Sequence, residues 1–147
     1  MARLAAHVAP AGALAIADRE PSGTIEQLAA ARRVLLVTHR RDGRAVPTPV
    51  WAARAGDCLY VRTERASGKV KRLRREPRLL VAPCTVRGVP LGAPLQARAE
   101  IVEGAGEHLA ERALAARYGL GRELFERAMD ILRVDMCYLR ITPEDGR

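Results

Sequence analysis

The chain has 147 residues, of which 48% are hydrophobic and 29% charged, and its formal net charge is +8. This length and composition exclude an intrinsically disordered chain and leave room for one domain with one core. Aromatic residues make up only 3%, so the core must be mostly aliphatic, and the charge predicts an anionic partner: nucleic acid, an acidic membrane surface or a phosphorylated small molecule.

The first 22 residues are ambiguous. The segment MARLAAHVAPAGALAIA loosely imitates a signal peptide because one Arg precedes small apolar residues, but His7, Pro10 and Gly12 interrupt it. We therefore expect residues 1–22 to be a flexible extension and residues 23–147 to form a single domain. No apolar run reaches the roughly 18 residues of a membrane-spanning helix.

The next elements read as a short helix and three strands. Thr24 and Gln27 form a capping-box pattern, which predicts a helix over about residues 25–32. VLLVTHR (34–40), AVPTPVWAA (45–53) and CLYVRT (58–63) are rich in β-branched and apolar residues and are separated by the turn signals RDGR and RAGD. These three strands predict an antiparallel meander.

A basic helix and the remaining strands follow. Ser67 is a good N-cap, Val70 and Leu73 have helical spacing, and Pro77 ends the helix. RLLVAPC (78–84), APLQARAEIV (93–102) and MCYLRIT (136–142) read as strands, and two amphipathic helices meet around residues 119–121. About six antiparallel strands with flanking helices predict a mainly β, α+β fold that closes into a small barrel.

Few residues have the pattern of a catalytic or metal centre. Cys58, Cys84 and Cys137 are dispersed and form no CxxC pair, so no metal site or disulfide framework is predicted and a reducing, cytoplasmic location is expected. His39 is interpreted as a structural or solvent-facing residue. Four carboxylates at helical spacing beside arginines are interpreted as solvated helix faces with ion pairs: Glu107, Glu111, Glu123 and Glu126.

Most of the net charge lies between Arg62 and Arg78, where eight cations and two carboxylates give +6. A helix N-terminus within such a segment attracts anions, because its free N–H groups and dipole add to the side-chain charge. Ser67 offers a hydroxyl, Gly68 allows close backbone approach and Lys69 adds a mobile ammonium. The segment therefore predicts a phosphate site. A solvated basic face and a nucleic-acid patch stay open as alternatives, the latter weakened by the lack of aromatics.

Two parts of the sequence carry a resemblance to a known family. LYVRTERASGKVKRLRREPRLLVAP resembles the strand, loop, helix and strand of the pyridoxamine 5'-phosphate oxidase-like split-barrel superfamily, through Thr63, Ser67, Lys69 and the pair 76–77. TPVW (48–51), SGKVKRLR (67–74), PC (83–84) and RG (87–88) are similar to the branch that uses the deazaflavin coenzyme F420. The similarity extends over about residues 24–104.

The resemblance implies a split β-barrel of the FMN-binding type that acts as an F420-dependent oxidoreductase on an electron-poor small molecule. It implies a homodimer with the cofactor between subunits, no metal and no catalytic side chain. Gly68 stands where the flavin oxidases have their first basic residue, which favours the several anions of F420 over the single phosphate of FMN. An FMN-binding oxidoreductase and a non-catalytic F420 or flavin carrier stay open. The implied cofactor-binding residues are Thr48, Pro49, Val50, Trp51, Thr63, Ser67, Gly68, Lys69, Lys71 and Arg72.

The strand that contains TPVW has a physical interpretation of its own. Pro47 and Pro49 remove two backbone donors, so one edge of this strand cannot pair normally with a neighbour. A planar ring could lie against that edge and bond to the remaining backbone groups. The alternative is that the prolines only protect an edge strand and that Trp51 belongs to the core.

Overall fold

A single antiparallel sheet of seven strands runs through the computed structural model, which describes residues 12–144. The order of strands across the sheet is β2-β1-β5-β6-β7-β4-β3, and every neighbouring pair is antiparallel. The strands are β1 (Arg33–His39), β2 (Ala45–Val50), β3 (Ala53–Ala55), β4 (Cys58–Glu64), β5 (Arg78–Cys84), β6 (Leu95–Val102) and β7 (Met136–Pro143).

The sheet curls round on itself between β2 and β3. These two strands lie at opposite ends of the hydrogen-bonded order, yet only Trp51 and Ala52 separate them along the chain. The predicted strand 45–53 is therefore two strands: its first half pairs with β1 and its continuation with β4. The sequence pattern could not separate them because both halves are equally apolar. The prediction of a mainly β split barrel is confirmed, with seven strands instead of about six.

Within residues 12–144, four α-helices flank the sheet: α1 (Ile25–Ala30), α2 (Gly68–Arg75), α3 (Ala105–Tyr118) and α4 (Leu120–Ile131). The predicted capping box of α1 is present, since the backbone N–H of Gln27 donates to the Thr24 hydroxyl and that of Thr24 to the Gln27 amide oxygen. Gly119 separates α3 from α4 with a φ of 70°, a conformation that glycine adopts without strain.

The core lies inside the curled sheet and consists of aliphatic side chains from β1, β4, β5, β6 and β7, closed by α1 and α2 through Leu28 and Leu73. A second cluster lies on the other face of β1 and β5. It contains Ile16, which belongs to a 3₁₀ helix at Leu14–Asp18, and Ala13, which precedes that helix. Both residues are buried.

The expectation of a flexible extension over residues 1–22 needs correction for this short helix. Ile16 is only 1% exposed, so the helix packs on the sheet rather than extending into solvent. The sequence did not reveal this contact because only two large apolar residues, Leu14 and Ile16, stand in a short alanine-rich stretch. The signal-like residues 1–11 lie outside the described part of the chain.

Candidate functional site

The predicted anion-binding residues lie at and around the turn from β4 into α2. Thr63 is buried near the end of β4 opposite Cys137 of β7. The Ser67 hydroxyl caps α2 by accepting from the backbone N–H of Val70 at 3.5 Å. Val70 and Leu73 are buried beneath the helix, so its first turn is held firmly on the sheet with its cations directed away from the core.

A basic cleft of about 590 Å³ opens between this helix and the turn that joins β1 to β2. We call it the basic cleft, and it is lined by six cations, one carboxylate and one glycine: Arg40, Arg41, Arg44, Lys71, Arg72, Arg75, Asp42 and Gly68. Three of its arginines come from the β1–β2 turn, which precedes α2 by about 25 positions. Because attraction for an anion falls with distance, convergence of both groups makes a stronger site than either group alone.

Two hydrogen bonds fix the helix side of the cleft. Nε of Arg72 donates to the hydroxyl oxygen of Thr38 at 2.7 Å, and Thr38 is buried. A guanidinium nitrogen of Arg75 donates to the carbonyl of His39 at 2.5 Å. Gly68 leaves room for this arrangement, since a Cβ there would lie 2.9 Å from Nη1 of Arg72. The guanidinium of Arg72 is therefore positioned before any ligand arrives.

The electrostatics of the cleft favour an anion. Burial, followed by the charges of Arg40 and Arg75, lowers the pKa of Arg72. Burial, followed by the charge of Arg72, likewise lowers the pKa of Lys69, while Glu64 opposes the shift. Both shifts mean that the protein alone does not fully compensate these cations. For Arg72, which lines the cleft, a bound phosphate or carboxylate would provide that compensation.

The predicted cations of α2 do not all point the same way. Lys71 and Arg72 line the basic cleft, whereas Lys69 is half-buried outside it and is influenced by Glu64. Arg75, which continues the basic run, also lines the cleft. The three arginines of the β1–β2 turn were missed by the sequence analysis, although a cluster of arginines beside a tight turn is visible in RRDGR.

The edge of β2 forms the second part of the candidate site. Thr48, Pro49 and Val50 lie opposite Leu36, Leu35 and Val34 of β1, and all of β2 is half-buried. Its other edge has no strand partner in the described sheet. Prolines in a strand occupy the unpaired edge, because they cannot donate to a ladder, which agrees with Pro47 and Pro49 here.

Trp51 ends this edge, far from the basic cleft. The cleft adjoins the β1–β2 turn, and Trp51 lies six residues beyond Ala45, which is about 20 Å of extended chain. The Trp51 ring packs with Phe125 and Tyr118 at centroid distances of 5.3 and 5.7 Å, and the Arg33 guanidinium lies 5.3 Å above it. The predicted site residues thus form two groups, and only an elongated ligand could contact both.

Tyr118 anchors the chain where the sheet curls, and the sequence analysis missed it. Its hydroxyl accepts from the backbone N–H of Ala52 at 3.0 Å and lies 2.7 Å from the Ala52 carbonyl and 3.2 Å from that of Arg32. Burial raises the pKa of Tyr118, so the hydroxyl stays protonated and can donate. It thereby fixes the backbone next to Trp51.

The structure also corrects the interpretation of the helix carboxylates. Glu126 has a side chain only 12% exposed and pairs with Arg62 and Arg122. Glu111 binds Arg122 through both oxygens at 2.8 and 2.9 Å. Both residues form ion pairs, as predicted; Glu126 is mostly buried in this network and contradicts the solvated face, whereas the side chain of Glu111 is still 46% exposed. Helical spacing alone could not distinguish the two, because both faces of a helix share one period.

Two negative findings concern residues 12–144. Among them, no group of three or more His, Cys, Asp or Glu side chains is arranged to hold a metal ion. No helix within that range is long and apolar enough to cross a membrane.

A curled antiparallel sheet with flanking helices is the architecture of a split-barrel protein. The profile of the pyridoxamine 5'-phosphate oxidase family matches residues 24–145. Because this match covers most of the chain, the protein belongs to the pyridoxamine 5'-phosphate oxidase family, as the resemblance indicated.

Solved structures agree on the fold. An FAD-binding protein of Mesorhizobium loti is 19% identical, with a TM-score of 0.58 over 82% of this chain and 85% of that one. An F420 reductase is 17% identical, with a TM-score of 0.52 over 86% and 97%. HutZ, the heme storage protein of Vibrio cholerae, is 18% identical, with a TM-score of 0.57 over 83% and 88%. No curated protein matches the sequence.

Proposed function

We propose that the protein binds coenzyme F420 and is an F420-dependent oxidoreductase. The observation that carries the proposal is the basic cleft, whose lining holds six cations from two separate elements and one carboxylate, Asp42, which is paired with Arg44. A single phosphate needs fewer partners than this. A phosphodiester followed by a glutamate tail presents several anions along a line, and such a ligand matches the distribution of charge.

The proposed division of labour follows the two groups of residues. Lys71 and Arg72 hold the anionic tail in the basic cleft, with Ser67, Gly68 and Lys69 at the N-terminus of the same helix and Thr63 beneath them. The ring lies against the unpaired edge of β2, along Thr48, Pro49 and Val50, toward Trp51. Because this edge of β2 has no strand partner in the described sheet, a planar ring placed there would cover backbone that is otherwise open to water.

When bound, F420 supplies the hydride chemistry toward an electron-poor double bond. The protein's own part is to place and shield the reactants. Because the Tyr118 hydroxyl fixes the backbone at Ala52, the end of the β2 edge keeps one position, which is what orientation of a ring requires. No side chain is proposed as a nucleophile. We also propose a homodimer with the cofactor at the subunit interface and a cytoplasmic location.

FMN is the second candidate, because the family match is to an oxidase family that binds this class of ring. Gly68 argues against it, since it leaves the first basic position of the helix without a charge. A third candidate is a carrier that binds F420 or a flavin without turnover. The same fold occurs in a heme storage protein, so binding by itself does not establish catalysis.

Fluorescence titration of the purified full-length protein with F420, and separately with FMN, tests the proposal. We expect saturable binding of F420 and at least tenfold weaker binding of FMN, about 1.4 kcal/mol. Tighter binding of FMN would refute the choice of cofactor. Reduced F420 should then be consumed with an enone, quinone or tetrapyrrole acceptor; binding without consumption by any of them would instead support the carrier.

A further inference from the structure

Three arginines surround the aromatic residues at the end of the β2 edge, far from the basic cleft. The guanidinium carbon of Arg33 lies 5.3 Å from the centroid of the Trp51 ring, and that of Arg117 lies 5.3 Å from the Tyr118 ring. Burial raises the pKa of Tyr118, and its backbone hydrogen bond and the charges of Arg117, Arg33 and Arg32 oppose that shift. None of the three arginines forms an ion pair with a carboxylate in the described part of the chain. This end of the site is therefore a second region of positive charge.

Arg33 differs from the other two arginines because one of its donors is buried and unused. Its Nε has no hydrogen-bond partner among the described residues, whereas Arg117 donates to the carbonyl of Ala31 at 2.9 Å and Arg32 is exposed. The contact with Trp51 does not satisfy Arg33, since an aromatic face attracts the positive charge but accepts none of the in-plane N–H groups. The side chain as a whole is only half-buried, so its Nη end reaches solvent and is free to bind an acceptor.

The strand register places Arg33 beside the proposed position of the ring. Val34 lies opposite Val50 of β2, so Arg33 lies level with the point where β2 ends at Trp51, and neighbouring strands are about 4.8 Å apart. Side chains alternate between the two faces of a strand. Because Val34 belongs to the core inside the curled sheet and Leu35 to the cluster on the other face, Arg33 points away from the core, to the outer face.

The aromatic residues beside Arg33 leave an apolar surface accessible. Phe125 is 44% exposed and packs edge-on against the half-buried Trp51 ring, at an interplanar angle of 84°. We call Arg33, Trp51 and Phe125 the aromatic end of the site. A guanidinium binds a carboxylate through two parallel hydrogen bonds, and aromatic rings bind flat unsaturated groups by stacking. The aromatic end is therefore suited to a ligand that combines an anionic group with a flat, conjugated body.

We infer that the acceptor substrate carries a carboxylate, which Arg33 binds while the conjugated part of the substrate extends over Trp51 and Phe125 toward the ring. This inference rests on the proposed oxidoreductase function and names its substrate class, conjugated carboxylic acids in preference to neutral enones and quinones. Arg32 and Arg117 attract the anion through their charge without contact. Arg33 is thus a residue that determines specificity and has no part in the transfer itself.

The reaction leaves the carboxylate unchanged. A hydride and a proton add across a carbon–carbon double bond, both of them released by oxidation of reduced F420, and the π bond is replaced by two C–H bonds. The acid therefore remains an acid in the saturated product. Arg33 holds the same group before and after the reaction, so its contribution is to binding and orientation.

Binding of trans-cinnamate to the full chain without cofactor tests the inference, because Trp51 is the only tryptophan and its fluorescence reports on the aromatic end. We expect saturable quenching by cinnamate and about tenfold weaker binding of cinnamamide, which has the same shape and no charge. Arg33→Gln should weaken the binding of cinnamate about tenfold and leave that of cinnamamide unchanged. Retained binding of cinnamamide also shows that the variant is folded at this site.

Arg112→Gln is the matched control for charge. Arg112 is exposed on α3, so its loss should weaken the binding of cinnamate by about twofold or less. Equal binding of cinnamate and cinnamamide to the wild type, or equal losses in the two arginine variants, would overturn the inference.

Two measurements with F420 separate this inference from the proposed function. F420 should bind as tightly with saturating cinnamate present as without it, and displacement of either ligand by the other would assign Arg33 to the cofactor and overturn the inference. In turnover with reduced F420, kcat/KM should favour trans-β-benzoylacrylate over its methyl ester by about tenfold, and Arg33→Gln should remove this preference mainly through KM for the acid. A wild type that prefers the ester would overturn the inference. Failure of F420 to bind would refute the proposed function, whereas the carboxylate site would still stand on the titration without cofactor.

Discussion

Replacement of Arg72 by Ala is the most direct test of the basic cleft. The guanidinium is half-buried, is anchored on Thr38 at 2.7 Å and lines the cleft. An ion pair with a phosphate at about 4 Å is worth about 4 kcal/mol at an effective dielectric constant of 20. Access of solvent and the neighbouring cations reduce this to about 1–2 kcal/mol. We therefore expect F420 to bind about 5- to 30-fold more weakly to Arg72→Ala.

Fluorescence titration with F420 measures the effect, and two further variants interpret it. Arg74→Ala removes the same charge from the same helix, but Arg74 is exposed outside the cleft lining, so about a threefold loss or less is expected. Thr38→Val keeps every charge and removes only the anchor of Arg72, so an intermediate loss is expected. Equal losses for Arg72→Ala and Arg74→Ala would show that net charge alone matters and would refute the reasoning. A larger loss for Lys69→Ala than for Arg72→Ala would assign the main contact to Lys69 instead.

Three further predictions concern salt, packing and pH. Raising the ionic strength from about 0.05 to 0.5 M should weaken F420 binding more than tenfold if several ion pairs form in the cleft, and a Kd insensitive to salt would contradict this. Tyr118→Phe should lower the free energy of unfolding by about 1–2 kcal/mol, measured by urea denaturation, because the backbone of Ala52 loses its side-chain partner. The hydrogen bond from Arg122 lowers the pKa of Glu111 in the folded state; its contribution to stability is therefore present above the usual pKa near 4.5 and is lost as pH falls through the lower folded value. The acid denaturation of Glu111→Gln should accordingly be less steep there than that of the wild type.

The local elements were predictable from short-range chemistry. The capping box at Thr24 and Gln27 and the N-cap at Ser67 act within one helical turn, so the sequence contains the whole interaction. The runs of β-branched residues and the Asp-Gly turn likewise predict β1, β2 and β4. The order of these elements, with the motif SGKVKRLR, was sufficient for the family. The extent of the predicted strand 45–53 could not be predicted correctly. The break at Trp51 depends on which neighbouring strand each half pairs with.

The sequence by itself determined which residues are cationic, which segments are strands, and that the net charge lies mainly around α2. Only the tertiary structure decided where those charges converge. β1 pairs with β5, the strand that follows α2, and this long-range pairing brings Arg40, Arg41 and Arg44 to the helix. The same holds for α4: its period predicts one apolar and one polar face, but only the positions of Arg62 and Glu111 decide that the polar face is inside. A periodic pattern defines two faces of a helix, and which of them is buried depends on partners that are distant in the chain.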